Sequence, residues 1–484
     1  MRRFVHFILD GNPIGVDLGT SGGPSPTTTV LHYLRSFPGH NGVKEGCAEG
    51  DCGACTVVLA KPVNGRLHYR AVDSCLVFLP MLDGQQVITI ENLRLPSGQL
   101  HPVQEAMVRL YGSQCGFCTP GIVMSIFALY KENPAASLEE MRTALAGNLC
   151  RCTGYQSIID ACADVCLRAA PDQFSLDEPR ILHLLNSMPE DPLLIENEAC
   201  RYFRPTAIAG ALAYLRDHPA ATVVTGATDV ALRVTKNHER LENILDLSAV
   251  EELQTLWQED ETVVIGAGVP LCRVRDFARD RLPALHVMLD VFAARQIRNV
   301  ATIGGNLGTA SPIGDLPPVL IAHDAVIVAA GPEGERTIPV SEFFVAYRKT
   351  ALVPGELITQ VKIPVPAERM LLRSYKISRR RDLDIATVSG GFRLEIDGHG
   401  HVGRVVLAYG GMADRPSRAK HTEDFLTGRS WDRPTVEKAM GILGQEFTPI
   451  SDVRGSASFR RIAAKNLLLK FWHDTRPAPA GRTS

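Results

Sequence analysis

The sequence has little that would take it to a membrane or a nucleic acid. No apolar stretch reaches the roughly 18 residues a spanning helix needs. The best candidate, Leu316 to Ala330, is interrupted by His323 and Asp324. No long run of Lys or Arg occurs, and 51 basic against 53 acidic residues leave a formal net charge of -2. Neither a phosphate backbone nor an anionic lipid surface is therefore an expected partner. No G-x-G-x-x-G follows a strand pattern, and the GAG at Gly266 to Gly268 lacks the third glycine, which disfavours a Rossmann site. The glycine-rich Leu18 to Ser25 has no phosphate-loop lysine and reads as a flexible loop. At the N-terminus, MRRFVHFILDG is apolar only briefly before Asp10 and Gly11 end it, so it reads as a first strand rather than a signal peptide. A cytoplasmic chain is expected. Its 484 residues exceed what one core usually supports and predict about three domains.

What stands out is cysteine: twelve residues, eight of them in two tight groups in the first third of the chain. Without an export signal, such grouping favours metal ligation over disulfides. Cys47, Cys52, Cys55 and Cys75 have the C-x4-C-x2-C…C spacing of a plant-type ferredoxin, in the context GCAEGDCGAC. Three thiolates from one loop require a sharply bent backbone with free amides, and Gly46, Gly50 and Gly53 permit that. A structural zinc site would more usually pair two CxxC-like knuckles. Around the loop, Phe4 to Leu9, Thr56 to Ala60, Leu67 to Val72 and Gln86 to Ile90 read as strands, Asp10 to Pro13 as a turn and Thr27 to Arg35 as a helix, which predicts a small β-grasp domain.

The second group, Cys115 and Cys118 in QCGFCTPG with Cys150 and Cys152 in NLCRCTGY, is separated by helical sequence. Thr119-Pro120 opens one helix, and Ser137 with Glu140 forms a capping box for Leu138 to Ala146. A last helix is expected from about Ser157 to Ala169; with Pro102 to Tyr111 the total is four. Spacing alone leaves zinc open for this group. Cys162 and Cys166 share a helix face and read as core filling; Cys200 and Cys272 read as inert.

After Pro171 to Glu198, which mixes Pro, Asp, Glu and Asn without clear periodicity and reads as a linker, a new domain begins near Tyr202. There Ala221 to Val224 is an apolar strand entering TGATDV, where Gly226 could turn free amides to a phosphate. The segment Phe292 to Leu320 is more specific. Gly304, Gly305 and Gly308 allow close backbone approach, while Thr302, Asn306, Thr309 and Ser311 offer side-chain hydrogen bonds, a loop suited to a dinucleotide pyrophosphate. The H-x-H of His399 and His401 reads as a solvated turn.

The strings EGDCGACTV, QCGFCTPG and CRCTGYQ, in this order, resemble the molybdenum hydroxylase family. The resemblance runs from about residue 3 to residue 475 and implies an α+β multidomain chain. Residues 1–92 would be a β-grasp 2Fe-2S ferredoxin-like domain, 93–170 a four-helix 2Fe-2S domain and 171–200 a linker. Residues 201–368 would be a vanillyl-alcohol-oxidase-like FAD domain and 369–475 its C-terminal α+β subdomain, before a disordered tail, 476–484. It further implies that Val223, Val224, Thr225, Gly226, Ala227, Thr228 and Asp229, with Ala301, Thr302, Gly304, Gly305, Asn306, Thr309 and Ser311, hold the phosphates and ribityl chain of FAD. Phe292 would stack near the flavin ring, Asp315 would lie close to it, and Lys420 would contact it. Ala227 departs from the second glycine or asparagine of many relatives, at a contact made mainly by backbone. YRKT (Tyr347 to Thr350), SRRRDLDIA (Ser378 to Ala386) and YGGMADRP (Tyr409 to Pro416) resemble the xanthine dehydrogenase branch. Implied partners are a large molybdopterin-binding subunit in an (αβ)2 heterotetramer, and NAD+ as acceptor. No residue of this chain would perform the hydroxylation.

Overall fold

The computed structural model describes residues 1–20, 22–95, 97–198 and 200–476. The expected tail, 476–484, thus lies outside the described residues apart from Arg476. The chain divides into two compact units, one of Met1–Glu252 with Ala293–Thr302, the other of Leu253–Phe292 with the residues from Ile303 onward.

The first unit begins with β1 (Phe4–Leu9) and β2 (Asn12–Asp17), which form a hairpin whose turn residues Asp10 and Gly11 both have positive φ. A short helix α1 (Val30–Arg35) follows, its N-cap Thr29 accepting from the His32 N–H. Then come β3 (Thr56–Val63), β4 (Arg66–Asp73) and β5 (Gln86–Ile88), completing a sheet of order β2-β1-β5-β3-β4 in which β1 and β5 run parallel. Successive side chains of a strand point to opposite faces. On β3, Val57 and Leu59 enter one apolar core while Val58 and Ala60 enter another. The run from Val57 to Ala60 is therefore apolar throughout, because both faces are covered, rather than alternating apolar with polar residues.

One face is covered by helices: α2 (Pro102–Arg109), α3 (Thr119–Glu132), α4 (Leu138–Leu145) and α5 (Gln156–Leu167). The capping box of Ser137 and Glu140 is formed. Cys162 and Cys166 are buried in this core. A fifth helix, α6 (Gln173–Asn186), occupies the stretch expected to be a linker, and Phe174, Ile181 and Leu185 join the same core. Pro179 inside the helix and the abundance of charge hid its period. The other sheet face shares a core with β6 (Leu193–Glu196), β7 (Arg201–Arg204), β8 (Thr222–Val224) and β9 (Asn243–Asp246), a second sheet of order β6-β7-β9-β8. Helices α7 (Ile208–Asp217) and α8 (Val230–Thr235) connect these strands.

In the second unit, a five-stranded sheet takes Leu256–Glu259, Thr262–Gly266, Leu357–Pro364, Val326–Gly331 and Gly334–Pro339 in that spatial order, every pair antiparallel. A four-stranded antiparallel sheet follows from Leu371–Ile377, Val388–Ile396, Val402–Gly410 and Ser417–Arg418. The helices Arg433–Glu446 and Ala457–Thr475 pack in its core. At Gly391 a Cβ would overlap the Pro318 carbonyl, so the helix Leu316–Ala322 lies directly on the strand backbone. No helix among the described residues is long and apolar enough to cross a membrane.

The first turn of α6 is held by a buried polar cluster. Asp172 accepts from Ser175 N (2.9 Å), Lys131 Nζ (2.8 Å) and His101 Nε2 (3.1 Å). His101 Nδ1 accepts the Val103 N–H, so Nε2 carries the proton. Burial alone would raise the Asp172 carboxyl, but the hydrogen bonds from His101 and Lys131 hold it below the ordinary range. A carboxylate with a depressed folded-state pKa contributes its stability above the unfolded value, about 4, and loses it as pH falls further. Asp172→Asn, which leaves Lys131 buried without its counter-charge, is expected to cost about 3 kcal/mol at pH 7. Urea denaturation should show the difference from the parent shrinking between pH 4 and pH 2.

Candidate functional site

The first cysteine loop leaves β-grasp structure after α1 and rejoins it at β3. Gly50 (φ +80°) and Gly53 (φ +66°) turn the chain, and the amides of Glu49 and Asp51 donate to Cys47 Sγ at 3.4 and 3.3 Å. Cys75 arrives from the turn Ser74–Leu76 that follows β4. The four thiols meet as two pairs, Cys47 with Cys52 and Cys55 with Cys75. The hydrogen bond from Cys52 and the backbone amides bring the Cys47 thiol down to about 5 despite partial burial. Asp73, which the spacing did not single out, lies 3.8 Å from Cys55 Sγ through Oδ1 and is buried; burial pushes its carboxyl well above the ordinary range.

The second loop repeats the arrangement at the helices. Cys118 is the N-cap of α3, and Cys152 lies just before α5. Here too the thiols meet in pairs, Cys115 with Cys152 and Cys118 with Cys150. Gly116 (φ +80°) and Gly154 (φ +68°) bend the chain, and the Cys150 N–H donates to Tyr155 Oη at 2.9 Å. Lys44 from the first loop donates to the Gly116 carbonyl at 3.0 Å and lies over the Phe117 ring.

Among the described residues no group of three or more His, Cys, Asp or Glu side chains converges as a single-ion site. A structural zinc needs four ligands about one centre. Two pairs of thiols fit a 2Fe-2S cluster instead, where each iron takes two protein ligands and shares two sulfides with its neighbour.

The residues expected at FAD fall in both units. In the first, Val224 and Ala227 are core residues, whereas Val223 is 37% exposed. Thr225, Thr228 and Asp229 are half-buried in the turn after β8. A Cβ on Gly226 would overlap the Val300 carbonyl and approach Ala301 Cα to 3.1 Å, so glycine is required for the turn to reach that backbone. Ala227 has φ +57°, the left-handed conformation that suits a glycine or asparagine. Ala301 and Thr302 are buried in the same unit.

In the second unit, Gly304 is the second residue of a short helix, Ile303–Gly308, and its N–H donates to the Ala267 carbonyl at 2.9 Å. Its Cβ would come within 2.6 Å of Ala267 Cβ. A Cβ on Gly308, by contrast, would meet nothing within 4 Å, and Gly305 is also exposed. Thr309 donates its hydroxyl to the Gly305 carbonyl (3.0 Å), and Ser311 Oγ accepts from Ile313 N. Asn306 Oδ1 is buried with no hydrogen-bond partner, an acceptor left for a donor from outside the protein. These features fit a dinucleotide laid along the helix.

Asp315 is buried and pairs with Lys376 Nζ at 2.8 Å, leaving its other oxygen, Oδ1, without a partner. Lys376 also donates to the Val291 carbonyl (2.7 Å), the residue before half-buried Phe292. Burial raises the Asp315 carboxyl and Lys376 opposes that rise. Lys376 was not singled out in the sequence, because nothing in its context YKIS marks a buried lysine. Lys420, the lysine expected at the flavin, is exposed at the start of the helix Lys420–Leu426.

Gly226→Ala is expected to cost about 2 kcal/mol by displacing the Val300–Ala301 backbone, with loss of bound flavin absorbance. Ala227→Gly, which relieves the left-handed alanine, should be neutral or stabilising by up to about 1 kcal/mol with flavin retained. Lys376→Met leaves Asp315 buried without its partner and should lower stability by about 3 kcal/mol in thermal denaturation.

Comparison with known proteins agrees with this layout. Residues 197–366 match the family described as FAD binding domain in molybdopterin dehydrogenase, 373–475 the CO dehydrogenase flavoprotein C-terminal domain, and 89–163 the [2Fe-2S] binding domain. Xanthine dehydrogenase of Emericella nidulans is 34% identical over 99% of this chain and 39% of its own length. Aldehyde oxidase 1 of Macaca fascicularis is 29% identical over 92% and 38%. The chain thus spans about two fifths of the length of the curated relatives it matches. Among solved structures, a chain of reconstituted CO dehydrogenase from Oligotropha carboxidovorans aligns with a TM-score of 0.52 at 29% identity, over 56% of this chain and 94% of that one. A chain of quinoline 2-oxidoreductase from Pseudomonas putida 86 aligns with a TM-score of 0.52 at 25% identity, over 58% and 98%. The chain belongs to the molybdenum hydroxylase family, of which it carries the 2Fe-2S and FAD-binding parts.

Proposed function

We propose that this chain is the electron-transfer subunit of a xanthine dehydrogenase. Electrons from hypoxanthine or xanthine, oxidised to urate at a molybdenum cofactor on a large partner subunit, would pass through this chain to NAD+. The observation that carries the reading is the pairing of eight thiols into two four-cysteine sites within one compact unit. Support for xanthine as substrate comes from the relatives of that name and from the strings at Tyr347, Ser378 and Tyr409.

When bound, the two 2Fe-2S clusters supply one-electron carriers and FAD the step between one-electron and two-electron chemistry. Cys47, Cys52, Cys55 and Cys75 would hold one cluster, and Cys115, Cys118, Cys150 and Cys152 the other. The amides of Glu49 and Asp51 donate to sulfur and stabilise its negative charge. Thr225 to Asp229, with Ala301, Thr302 and Gly304 to Ser311, would bind the phosphates and ribityl chain; Gly226 lets its turn approach the Val300–Ala301 backbone, and Gly304 lets its helix approach Ala267. Asp315, held by Lys376, would offer an acceptor oxygen to the flavin ring and Phe292 an aromatic face. The partner assembles with it as an (αβ)2 heterotetramer in the cytoplasm.

The solved relatives named for CO and quinoline favour a second reading, the equivalent part of another hydroxylase with a different substrate and acceptor. Purified chain should contain four irons and one flavin and reduce a dye with NADH. Hypoxanthine oxidation should require a molybdenum-containing partner. Zinc in place of iron would overturn the proposal, as would hypoxanthine oxidation without any partner; a flavin- and iron-loaded chain that does not reduce the dye with NADH would favour the second reading.

A further inference from the structure

The two cysteine loops touch through backbone. The Leu149 N–H, beside Cys150, donates to the Cys52 carbonyl at 3.0 Å. A Cβ on Gly53 would overlap the Gly147 carbonyl, and one on Gly121 would overlap the Gly53 carbonyl. Into this contact reaches Asn148, only 2% exposed, whose Nδ2 donates to the Gly53 carbonyl (3.0 Å) and to Thr56 Oγ1 (3.1 Å). Its Oδ1 accepts from Ser125 Oγ (2.6 Å) and from Gln296 Nε2 (2.9 Å).

Gln296 comes from far along the chain, in Ala293–Thr302, the stretch that leads into the glycine-rich helix. It is fully buried, and its Nε2 also donates to Ser125 Oγ (2.9 Å) and approaches the Ala144 carbonyl (3.3 Å). With acceptors on that side, the amide has one consistent orientation. The stretch is fixed again by Asn299, whose Nδ2 donates to the Ala71 carbonyl on β4 at 2.8 Å. Donors thus run in one direction, from Gln296 through Ser125 to Asn148 and on to the carbonyl between Cys52 and Cys55.

We propose that Gln296 is a positioning residue that, acting through Asn148, holds both cysteine loops in one register and so tunes both clusters at once. This rests on the reading that the eight cysteines carry two clusters. Removing the terminal donor leaves Asn148 Oδ1 with one partner and frees its amide to rotate, which changes the hydrogen bonding of the Cys52–Cys55 loop and of the residues next to Cys150 together. A role in packing alone would alter stability without moving the electronic properties of two separate clusters.

The test is Gln296→Met in the purified holoprotein, with Ser125→Ala as a milder second variant. Iron and flavin content are measured first, then the electron paramagnetic resonance line shape and midpoint potential of each reduced cluster. Both cluster signals should shift in Gln296→Met, and both should shift in the same sense but less in Ser125→Ala. Unchanged signals, or a shift confined to one cluster, would overturn the positioning role; if Gln296→Met does not fold, the Ser125→Ala signals decide by the same criterion. A parent protein without cluster signals would instead sink the two-cluster reading.

Discussion

The carbonyl of Gly53 is the point where the two cysteine loops of the first unit press together. It lies inside the C-x2-C of one cysteine loop, faces Gly121 at van der Waals limit, and is buried where water cannot solvate it. A buried carbonyl without a donor costs about 1–3 kcal/mol, and here it receives three: Asn148 Nδ2, Thr56 Oγ1 and the Thr56 amide. Meeting that demand brings Asn148 inward, and Asn148 in turn brings Cys150 and Cys152 to their place. The glycines at 53 and 121 follow from the same contact, since a side chain at either would hold the loops apart, whereas a side chain at Gly147 would meet Gln296 and Ala294.

A β-grasp sheet with one wet face could not serve as this platform. Because β3 is buried on both sides, the same five strands support helices α2–α6 on one face and the β6–β9 sheet on the other. Burying both faces, at about 25 cal/mol per Å² of apolar surface, gives the sheet an apolar core on each side. That is why α6, in a stretch of apparently linker composition, is a packed helix: it closes the helical face, and its Asp172 is satisfied from α2 and α3.

Features carried by short-range chemistry were legible in the sequence. The cysteine spacings, the capping box at Ser137 and the first strand each depend on residues only a few positions apart. The helix α6 was not legible, because charge and Pro179 obscured its apolar face. Nor was Lys376, whose meaning depends on Asp315, or Gln296, whose partners Ser125, Ala144 and Asn148 all lie in another part of the chain. Ala227 was noticed as an unusual residue, but only the backbone explains it: φ +57° is the conformation for which a glycine or asparagine is better suited. The stretch Ala293–Thr302, expected within the FAD domain, packs with the cysteine-bearing unit, to which hydrogen bonds from Gln296 and Asn299 tie it.

The pair Asp315 and Lys376 poses the opposite question to that of the core. Well-packed apolar residues in place of a buried ion pair are often neutral or more stabilising, so stability alone gives little reason to keep one. The pair here is also incomplete: Lys376 is occupied by Asp315 and by the Val291 carbonyl, while Asp315 Oδ1 has no donor. A structural pair would gain by satisfying that oxygen. An acceptor held rigidly by a lysine, buried yet left open on one side, is instead what a site needs when the missing donor arrives with its ligand. Asn306 Oδ1, on the glycine-rich helix of the same unit, is left open in the same way. Asn306 Oδ1 and Asp315 Oδ1 are thus acceptors of the kind that a ligand rich in N–H and O–H groups would satisfy, and the exposed glycines at 305 and 308 place no side chain in its way.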